Sequence, residues 1–344
     1  MIEVHGSATI KDVAQLAKVS IATVSRVLNH NCAVTPETRK RVLKAVQELD
    51  YNRNEVARSL KVRQTKTIGI IAPELCNTFF MEVVVALEKV LATKGYSLII
   101  GSSNDSVEEE QRKLQILIER NVDGLVVIPA GGEGDHFVSK SLTNVPLVMI
   151  DRKLEGLSAD IVLTDNRYGV RKMVQALKAE GFNRIGFIGG DAKIYTARER
   201  LEGFLAAMDE FGLPVEEQFV LCGKTMNQRL GQELLQKALG YDNAPQAFFI
   251  ANDSLHLGAT TYAMASLPPE KREALVFASF DYLSYAPLLQ FCHYAVAQPL
   301  ELIGLEVATL LMKRLNGDWE GFPEQVMLRP EIKIMNANGG RSFN

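Results

Sequence analysis

Cysteine, tryptophan and long apolar runs are all scarce in this chain of 344 residues. Its four cysteines, Cys32, Cys76, Cys222 and Cys292, are scattered, with no CxxC pair or Cys/His cluster, which argues against a zinc site or a disulfide framework. No apolar stretch approaches the ~20 residues of a membrane span, and the N-terminal residues lack the charged-then-apolar pattern of a signal peptide. A cytoplasmic protein with no membrane partner is expected. Nucleotide-binding signatures are missing as well. Gly186, Gly189 and Gly190, and the run from Gly131 to Gly134, fit neither GxGxxG at a strand-to-helix turn nor a phosphate-cradling GxxxxGK loop, and there is no GxSxG elbow. The five histidines, His5, His30, His136, His256 and His293, are dispersed. An enzyme on a Rossmann-like scaffold is thereby disfavoured, and no catalytic residue, metal or cofactor is expected.

What the chain does have is an uneven charge. Residues 1–66 hold 12 Lys/Arg against 6 Asp/Glu, whereas the remainder holds 26 against 35. A basic head on an acidic body suits a polyanion-binding module joined to something else. Within the head, TIKDVAQLAKVSIATVSRVLN (Thr9 to Asn29) contains two short amphipathic segments. Ile10, Val13, Ala14 and Ala17 fall at helical spacing in the first; Val24, Val27 and Leu28 do in the second. Thr9, with Asp12 three residues on, is placed to cap the first, and Ser20 the second. Neither helix is long enough to persist alone, so each must bury its stripe against the other and a third element. Thr35-Pro36 opens that element, with Val42, Leu43, Val46 and Leu49 on one side and Arg39, Lys40, Arg41 and Lys44 on the rest, placed to touch phosphates. A helix-turn-helix is predicted, although a small helical hairpin opening any α/β protein has the same pattern. Off the apolar stripe of the second helix lie Ile21, Ala22, Thr23, Ser25 and Arg26. Apolar groups for thymine methyls and an arginine for guanine suit a helix entering the major groove.

Tyr51 to Lys66 reads as a basic hinge with one short helical piece, Asn54 to Leu60, that orders against DNA and a partner copy. Leu60 on such a helix is explained either by insertion into a minor-groove step or by packing on the neighbouring domain. From Thr67 the pattern changes to short apolar runs alternating with helical ones. Candidate strands are Ile68–Ala72, Leu98–Gly101, Leu125–Ile128, Leu147–Ile150, Ile161–Leu163, Ile185–Ile188, Phe219–Cys222, Ala247–Ile250, Val276–Phe280 and Tyr294–Ala297. Wholly apolar strands, each followed by a helix, indicate parallel sheets covered on both faces. Ten strands over about 275 residues divide more naturally into two doubly wound lobes than one.

Ligands bind such folds outside the carboxyl ends of the strands. Those ends carry Asn77, Phe79 and Phe80, Pro129-Ala130, Asp151 and Arg152, Asp165-Asn166, Asn252 and Asp253, and Asp281. Arg200 joins them from its helix, and Gln298 follows the last strand. Carboxylates, amides and guanidinium groups for hydroxyls, with aromatic faces for C–H surfaces, suit a polyhydroxylated ring. Duller roles exist: Asp165 and Asp253 at strand ends suit helix caps, and Phe79 or Phe80 suits the core.

These stretches together resemble the lactose/galactose-repressor (LacI/GalR) family of bacterial transcription regulators over essentially the whole chain. The head, the NEVARSLKVRQTKTIGII hinge, and NTFF, VDGLVVIP, IDR, TDNRYG, RERLEGF, FIANDSLHLGA and SFD follow in that family's order. The resemblance implies an all-α helix-turn-helix head (1–50), a hinge helix and linker (51–66) and an α/β periplasmic-binding-protein-like body (67–344) for effector binding and dimerisation. Lobe one would comprise about 67–166 and 299–325, lobe two about 167–298 and 326–344. Ser20, Ile21, Ala22, Thr23, Ser25, Arg26 and Asn29 fall at operator-contacting positions, and Leu60, with Ala57 beside it, matches the minor-groove lever. Phe79, Phe80, Asp151, Arg152, Arg200, Asn252, Asp281 and Gln298 match effector contacts in a ribose-type pattern. The implied partners are double-stranded pseudo-palindromic operator DNA, a small effector (sugar, sugar phosphate or nucleoside) and a second copy of the chain, in a bacterial, nucleoid-associated protein. A periplasmic-type sugar-binding protein resembles the body alone; the basic head sets this chain apart from it. Three departures stand out: Lys18 in the turn where many members have Gly, Asn52-Arg53-Asn54 before the hinge helix, and Ser279 where Gly is usual. The polar tail lacks the leucine heptads that tetramerise some members, so a dimer is expected.

Overall fold

The computed structural model describes residues 8–28, 34–51, 64–138, 142, 145–282, 292–334 and 341–343. The chain divides into two units at Thr65/Lys66. The first unit contains α1 (Ile10–Leu16), α2 (Ile21–Leu28) and α3 (Pro36–Glu48). Thr9 closes a reciprocal cap on α1: its Oγ1 accepts from the Asp12 amide at 3.4 Å while Asp12 Oδ2 accepts from the Thr9 amide at 2.7 Å. Ser20 Oγ accepts from the Thr23 amide at 3.1 Å and starts α2. Between the helices Lys18 adopts φ +53°, the left-handed conformation for which glycine is the strain-free residue. Val13, Ala14, Ala17, Val24, Val27, Val42 and Ala45 form the buried centre. Leu43, expected on the inner side of α3, is instead 49% exposed. The helical phase puts Ala45 in its place, three residues beyond Val42.

The second unit holds two sheets. In chain order its elements are β1 (Thr67–Ala72), α4 (Thr78–Ala92), β2 (Ser97–Ser102), α5 (Val107–Glu119), β3 (Gly124–Val127), β4 (Leu147–Ile150), β5 (Asp160–Thr164), α6 (Asn166–Ala179), β6 (Ile185–Gly189), α7 (Tyr195–Glu210), β7 (Val220–Cys222), α8 (Gln228–Leu239), β8 (Ala247–Ile250), α9 (Asp253–Ser266), α10 (Pro269–Glu273), β9 (Val276–Phe280), β10 (Cys292–Ala297), α11 (Leu300–Leu315), β11 (Gln325–Leu328), β12 (Glu331–Ile334) and β13 (Arg341–Phe343). Sheet one runs β11-β5-β4-β3-β1-β2 and sheet two β13-β12-β10-β9-β8-β6-β7.

All pairs in sheet one are parallel, as are those of sheet two from β10 to β7; β12 and β13 extend sheet two antiparallel. The apolar runs explain this, since strands such as Ala247–Ile250 are buried throughout and need helices on both faces. The last three strands carry no such run. β11 alternates exposed and half-buried positions before Leu328, an edge pattern that apolar-run reading passes over.

The chain crosses between lobes three times: after β5 at Asp165, after β10 at Gln298-Pro299, and after β11 at Arg329-Pro330. The third crossing differs from the expected division at 325/326. Gln325–Leu328 pairs in register with Ile161–Thr164, so β11 belongs to lobe one, because only there can its backbone groups complete a ladder. Two apolar clusters, around Val83 and Leu311 and around Leu114 and Leu163, cover the faces of sheet one; a phenylalanine-rich cluster around Phe187, Phe204 and Phe249 fills lobe two. α8 and α9 touch backbone to backbone. A Cβ on Gly258 would lie 1.8 Å from the Gln228 carbonyl, so the second turn of α9 is pressed against the first residue of α8.

Candidate functional site

In the first unit, α2 presents its N-terminal face outward. Ile21 is 45% exposed, Ala22 and Arg26 are exposed, and Thr23 and Ser25 are half-buried, while Val24 and Val27 point inward. Ser20 joins its own hydroxyl to Thr23 Oγ1 at 2.9 Å, so it caps the helix and stands at the edge of the same face. Lys40, Arg41 and Lys44 are exposed on α3. Asn29, Ala57 and Leu60 lie outside the described residues.

In the second unit, the carboxyl ends of both parallel sheets open onto one cavity of about 440 Å³. It receives Phe79, Phe80, Asp151 and Arg152 from lobe one, and Arg200, Asn252 and Asp281 from lobe two. Phe79 and Phe80 meet edge-on, with ring centroids 5.3 Å apart, and both are more than nine-tenths buried. Each therefore belongs to the lobe-one core and also lines the chamber.

Two aspartates hold matching places. Asp151 follows β4 and Asp281 follows β9, with φ +66° and +75°; their amides donate to Val162 and Val296 in the neighbouring strand, each at 3.0 Å. A left-handed aspartate costs about 1–3 kcal/mol that the fold must offset. In return each carboxylate is turned past the sheet edge into the cleft.

Their surroundings differ. Asp281 Oδ1 accepts from Gln298 Nε2 at 2.6 Å, and its Oδ2 lies 3.7 Å from Arg200 Nη1. Arg200 is itself fixed: Nε donates to Asn166 Oδ1 at 2.8 Å, Nη1 to the Ala251 carbonyl at 2.7 Å, and Cζ sits 3.7 Å from the Phe280 ring centroid. Thr164 Oγ1 donates to Gln298 Oε1, tying the first chain crossing to the second. Asp151, by contrast, buries an Oδ1 that has no hydrogen-bond partner among the described residues, and the same is true of Arg152 Nε. Arg152 spends Nη1 on Asp105 Oδ1 at 2.6 Å and on the Pro129 carbonyl at 3.0 Å. Burial raises the Asp151 and Asp281 carboxyls above the usual carboxylate range, and the Arg200 guanidinium pulls each part of the way back.

Gln298 is placed differently from the other candidates. It stands behind Asp281 and borders a neighbouring cavity of about 360 Å³ that Phe79, Tyr282 and Leu300 also line. Asp253 departs from the capping role suggested by its strand-end position. Asn252 caps α9, accepting from the Leu255 amide at 2.9 Å, and Asp253 turns elsewhere; Asp165 does cap α6, through the Tyr168 amide at 2.9 Å. Asp105 and the loop Lys224–Asn227 line the chamber without having been singled out. Both follow carboxyl ends, those of β2 and β7, and the strand-end rule extended to these two strands selects them. The Ser279 hydroxyl is buried and donates to the Phe280 carbonyl at 2.8 Å, away from the Asp281 side chain.

Among the described residues no group of three or more His, Cys, Asp or Glu is arranged to hold a metal ion, and no helix is long and apolar enough to cross a membrane. The geometry offers recognition: paired acceptors and donors around an aromatic floor.

Known proteins match both parts of the chain. Residues 9–54 match bacterial regulatory proteins of the lacI family, and residues 65–322 match periplasmic binding proteins and the sugar binding domain of the LacI family. The chain is 35% identical over 335 residues to the HTH-type transcriptional repressor PurR of Pasteurella multocida, covering 96% of this chain and 98% of that one. It is 30% identical over 326 residues to the HTH-type transcriptional repressor CytR of Escherichia coli, covering 93% and 94%. Among solved structures, the lac repressor dimer bound to operator and the anti-inducer ONPF superposes with a TM-score of 0.82 at 23% identity, over 96% of this chain and 99% of that one. The transcriptional regulator CelR in its cellobiose complex gives 0.70 at 27% identity, over 96% and 99%. With head and body both matched in order and relatives aligned nearly end to end, the chain belongs to the LacI family of bacterial regulatory proteins and is a DNA-binding transcriptional regulator.

Proposed function

We propose that this regulator is a homodimeric repressor that reads a pseudo-palindromic operator and whose grip on DNA is set by a neutral polyhydroxylated effector, a sugar or the sugar of a nucleoside. Residues 1–50 form the reading head, 51–66 the hinge, and 67–344 the effector-binding and dimerising body. Ile21, Ala22 and Arg26, supported by Ser20, Thr23, Ser25 and Asn29, meet base edges and phosphates in the major groove, while Ala57 and Leu60 engage the minor groove. Arg26→Ala should cost about 1–3 kcal/mol of operator binding and relax preference at one base pair per half-site, read by fluorescence anisotropy against substituted operators.

The observation that carries the effector reading is the pair of buried, unpartnered atoms, Asp151 Oδ1 and Arg152 Nε, in the chamber wall. Burying such groups unpaired costs about 1–3 kcal/mol each, which a ligand hydroxyl donating to one and accepting from the other removes. Phe79 and Phe80 give the ring a C–H surface, Asn252, Asp281 and Arg200 its remaining polar contacts, and Gln298 holds Asp281 in place. Charge selects the class. The lining carries Glu74, Asp105, Asp151, Asp191 and Asp281 against Arg152, Arg200 and Lys224, and Arg152 and Arg200 already serve partners of the protein. A phosphate dianion would meet excess negative charge, and both guanidinium groups already neutralise or hydrogen-bond groups of the protein. The cellobiose held by CelR is a ligand of the neutral kind.

A thermal-shift panel of neutral sugars, nucleosides and their phosphates on the full chain tests this. A ligand at 100 times its dissociation constant stabilises by about 2.7 kcal/mol. Neutral compounds should shift the transition and their phosphates should shift it less; the opposite order refutes the charge argument. A change of about 10² in operator affinity requires about 2.7 kcal/mol of coupling, and linkage obliges operator to change effector affinity equally.

A further inference from the structure

Asn77 and Asp253 come from opposite lobes and meet across the cleft. Asn77 Nδ2 donates to Asp253 Oδ1 at 3.3 Å, over 176 positions of sequence. Both side chains have a second duty at a helix start. Asn77 Oδ1 accepts from the Phe80 amide at 3.3 Å and caps α4 of lobe one. Asp253, the first residue of α9 in lobe two, accepts from the Ser254 amide at 2.7 Å. The N-terminal ends of α4 and α9 thus converge on one carboxylate, which suits their shared positive polarity.

Asp253 is 5% exposed, and no cation lies among the groups acting on it; burial and the nearby Asp281 push its carboxyl up to about 6. A second contact away from the chain crossings, Arg198 to Glu155 at 3.7 Å, is of another kind, because Glu155 is 87% exposed and solvent screens the pair.

We infer that Asn77 and Asp253 are positioning residues for the effector, forming a hydrogen-bonded latch that holds the aromatic half of the chamber in register with its polar half. The inference rests on the effector reading above for its purpose. Its geometry is independent of that reading: Phe79 and Phe80 sit in the first turn that Asn77 caps, and Asp253 follows Asn252 and neighbours Asp281. Shifting the latch by one hydrogen-bond length moves the ring floor relative to the polar contacts.

The pair permits a test by reversal of polarity in the full-length chain. In Asn77→Asp the new carboxylate still caps α4 but faces Asp253, so at pH 8, above the value of about 6 that Asp253 has, the contact becomes repulsive. In the double variant Asn77→Asp with Asp253→Asn, the amide at 253 donates to the carboxylate at 77 and its oxygen still accepts from Ser254. Hydrogen exchange of the ligand-free protein, followed by mass spectrometry over segments 74–84 and 250–258, should accelerate about tenfold in both for Asn77→Asp and return to the wild-type rate in the double variant. D-Ribose titrated calorimetrically should bind about tenfold more weakly to Asn77→Asp and recover in the double variant. Unchanged exchange in Asn77→Asp, or failure of the double variant to recover, overturns the latch. Wild-type protein that ignores D-ribose while exchange follows the predicted pattern overturns the ribose-type reading and leaves the latch standing.

Discussion

Asp151 and Asp281 occupy equivalent places in the two lobes, share a left-handed backbone and hang from the same kind of strand-to-strand amide bond, yet one is furnished and the other is bare. Gln298 and Arg200 flank both oxygens of Asp281, whereas Asp151 has one buried oxygen with no partner among the described residues. The lobe-two half of the chamber is thus organised by the protein itself, and on the proposed reading an effector would complete the lobe-one half.

The largest effect expected from this contrast is at the furnished site. Asp281→Ala removes the acceptor for Gln298 and the carboxylate facing Arg200, and should weaken effector binding by about 10² or more, roughly 3–5 kcal/mol, as measured by calorimetry. An Asp281→Ala protein that binds its effector as wild type would erase the distinction between the lobes.

Next in size is a dependence on acidity. With its carboxyl pushed up to about 6 from an ordinary 3.8, Asp253 holds a proton more tightly in the folded chain than in the unfolded one. Its charge therefore destabilises the fold above pH 6, and the penalty fades as pH falls from about 6 to about 4, by at most ~3 kcal/mol. Asp151 and Asp281 shift in the same direction. Asp253→Asn should accordingly raise the melting temperature more near pH 8 than near pH 5, by differential scanning calorimetry.

Smaller, and opposite in sign for stability and binding, is the outcome at the bare site. Asp151→Asn replaces a buried carboxyl, one oxygen of which has no partner among the described residues, by a neutral amide and should stabilise the ligand-free protein by about 1 kcal/mol in denaturant titration, while weakening the effector by about tenfold. A loss of both would show Asp151 to be as fully engaged as Asp281. The smallest effect concerns Lys18, which shares the left-handed strain of the two aspartates but reaches into no chamber. Lys18→Gly should stabilise the head by about 1 kcal/mol with operator affinity unaltered.

Much of this was readable from residue order because the physics is local. Wholly apolar runs such as Ala247–Ile250, each followed by a helical stretch, read as buried parallel strands, and the carboxyl ends of those strands deliver Asp151, Arg152, Asn252 and Asp281 to one cavity. Thr9 and Asp12 state their cap in four residues. What periodicity does not carry is anything set by distant partners. The half-polar β11 is a strand only because β5 offers it an edge, and Leu43 loses its inner place to Ala45 through the phase of a helix whose neighbours lie elsewhere in the chain. Asp253 looks like a cap by position; Asn252 takes that role first, and the partner of Asp253 lies 176 residues away. Gln298 is linked to the chamber through Asp281, a relation that only the folded chain displays.

The three crossings between the lobes have a mechanical meaning. Two bodies on a single tether can tumble in any direction; three parallel straps leave little but a nod about the line joining them. Cutting any one strap, for instance by a protease, would leave two and keep the halves aligned. Gln298 lies at the second strap and is laced both to Thr164 beside the first and to Asp281, so the cleft carboxylate and two of the straps are joined by hydrogen bonds through one side chain.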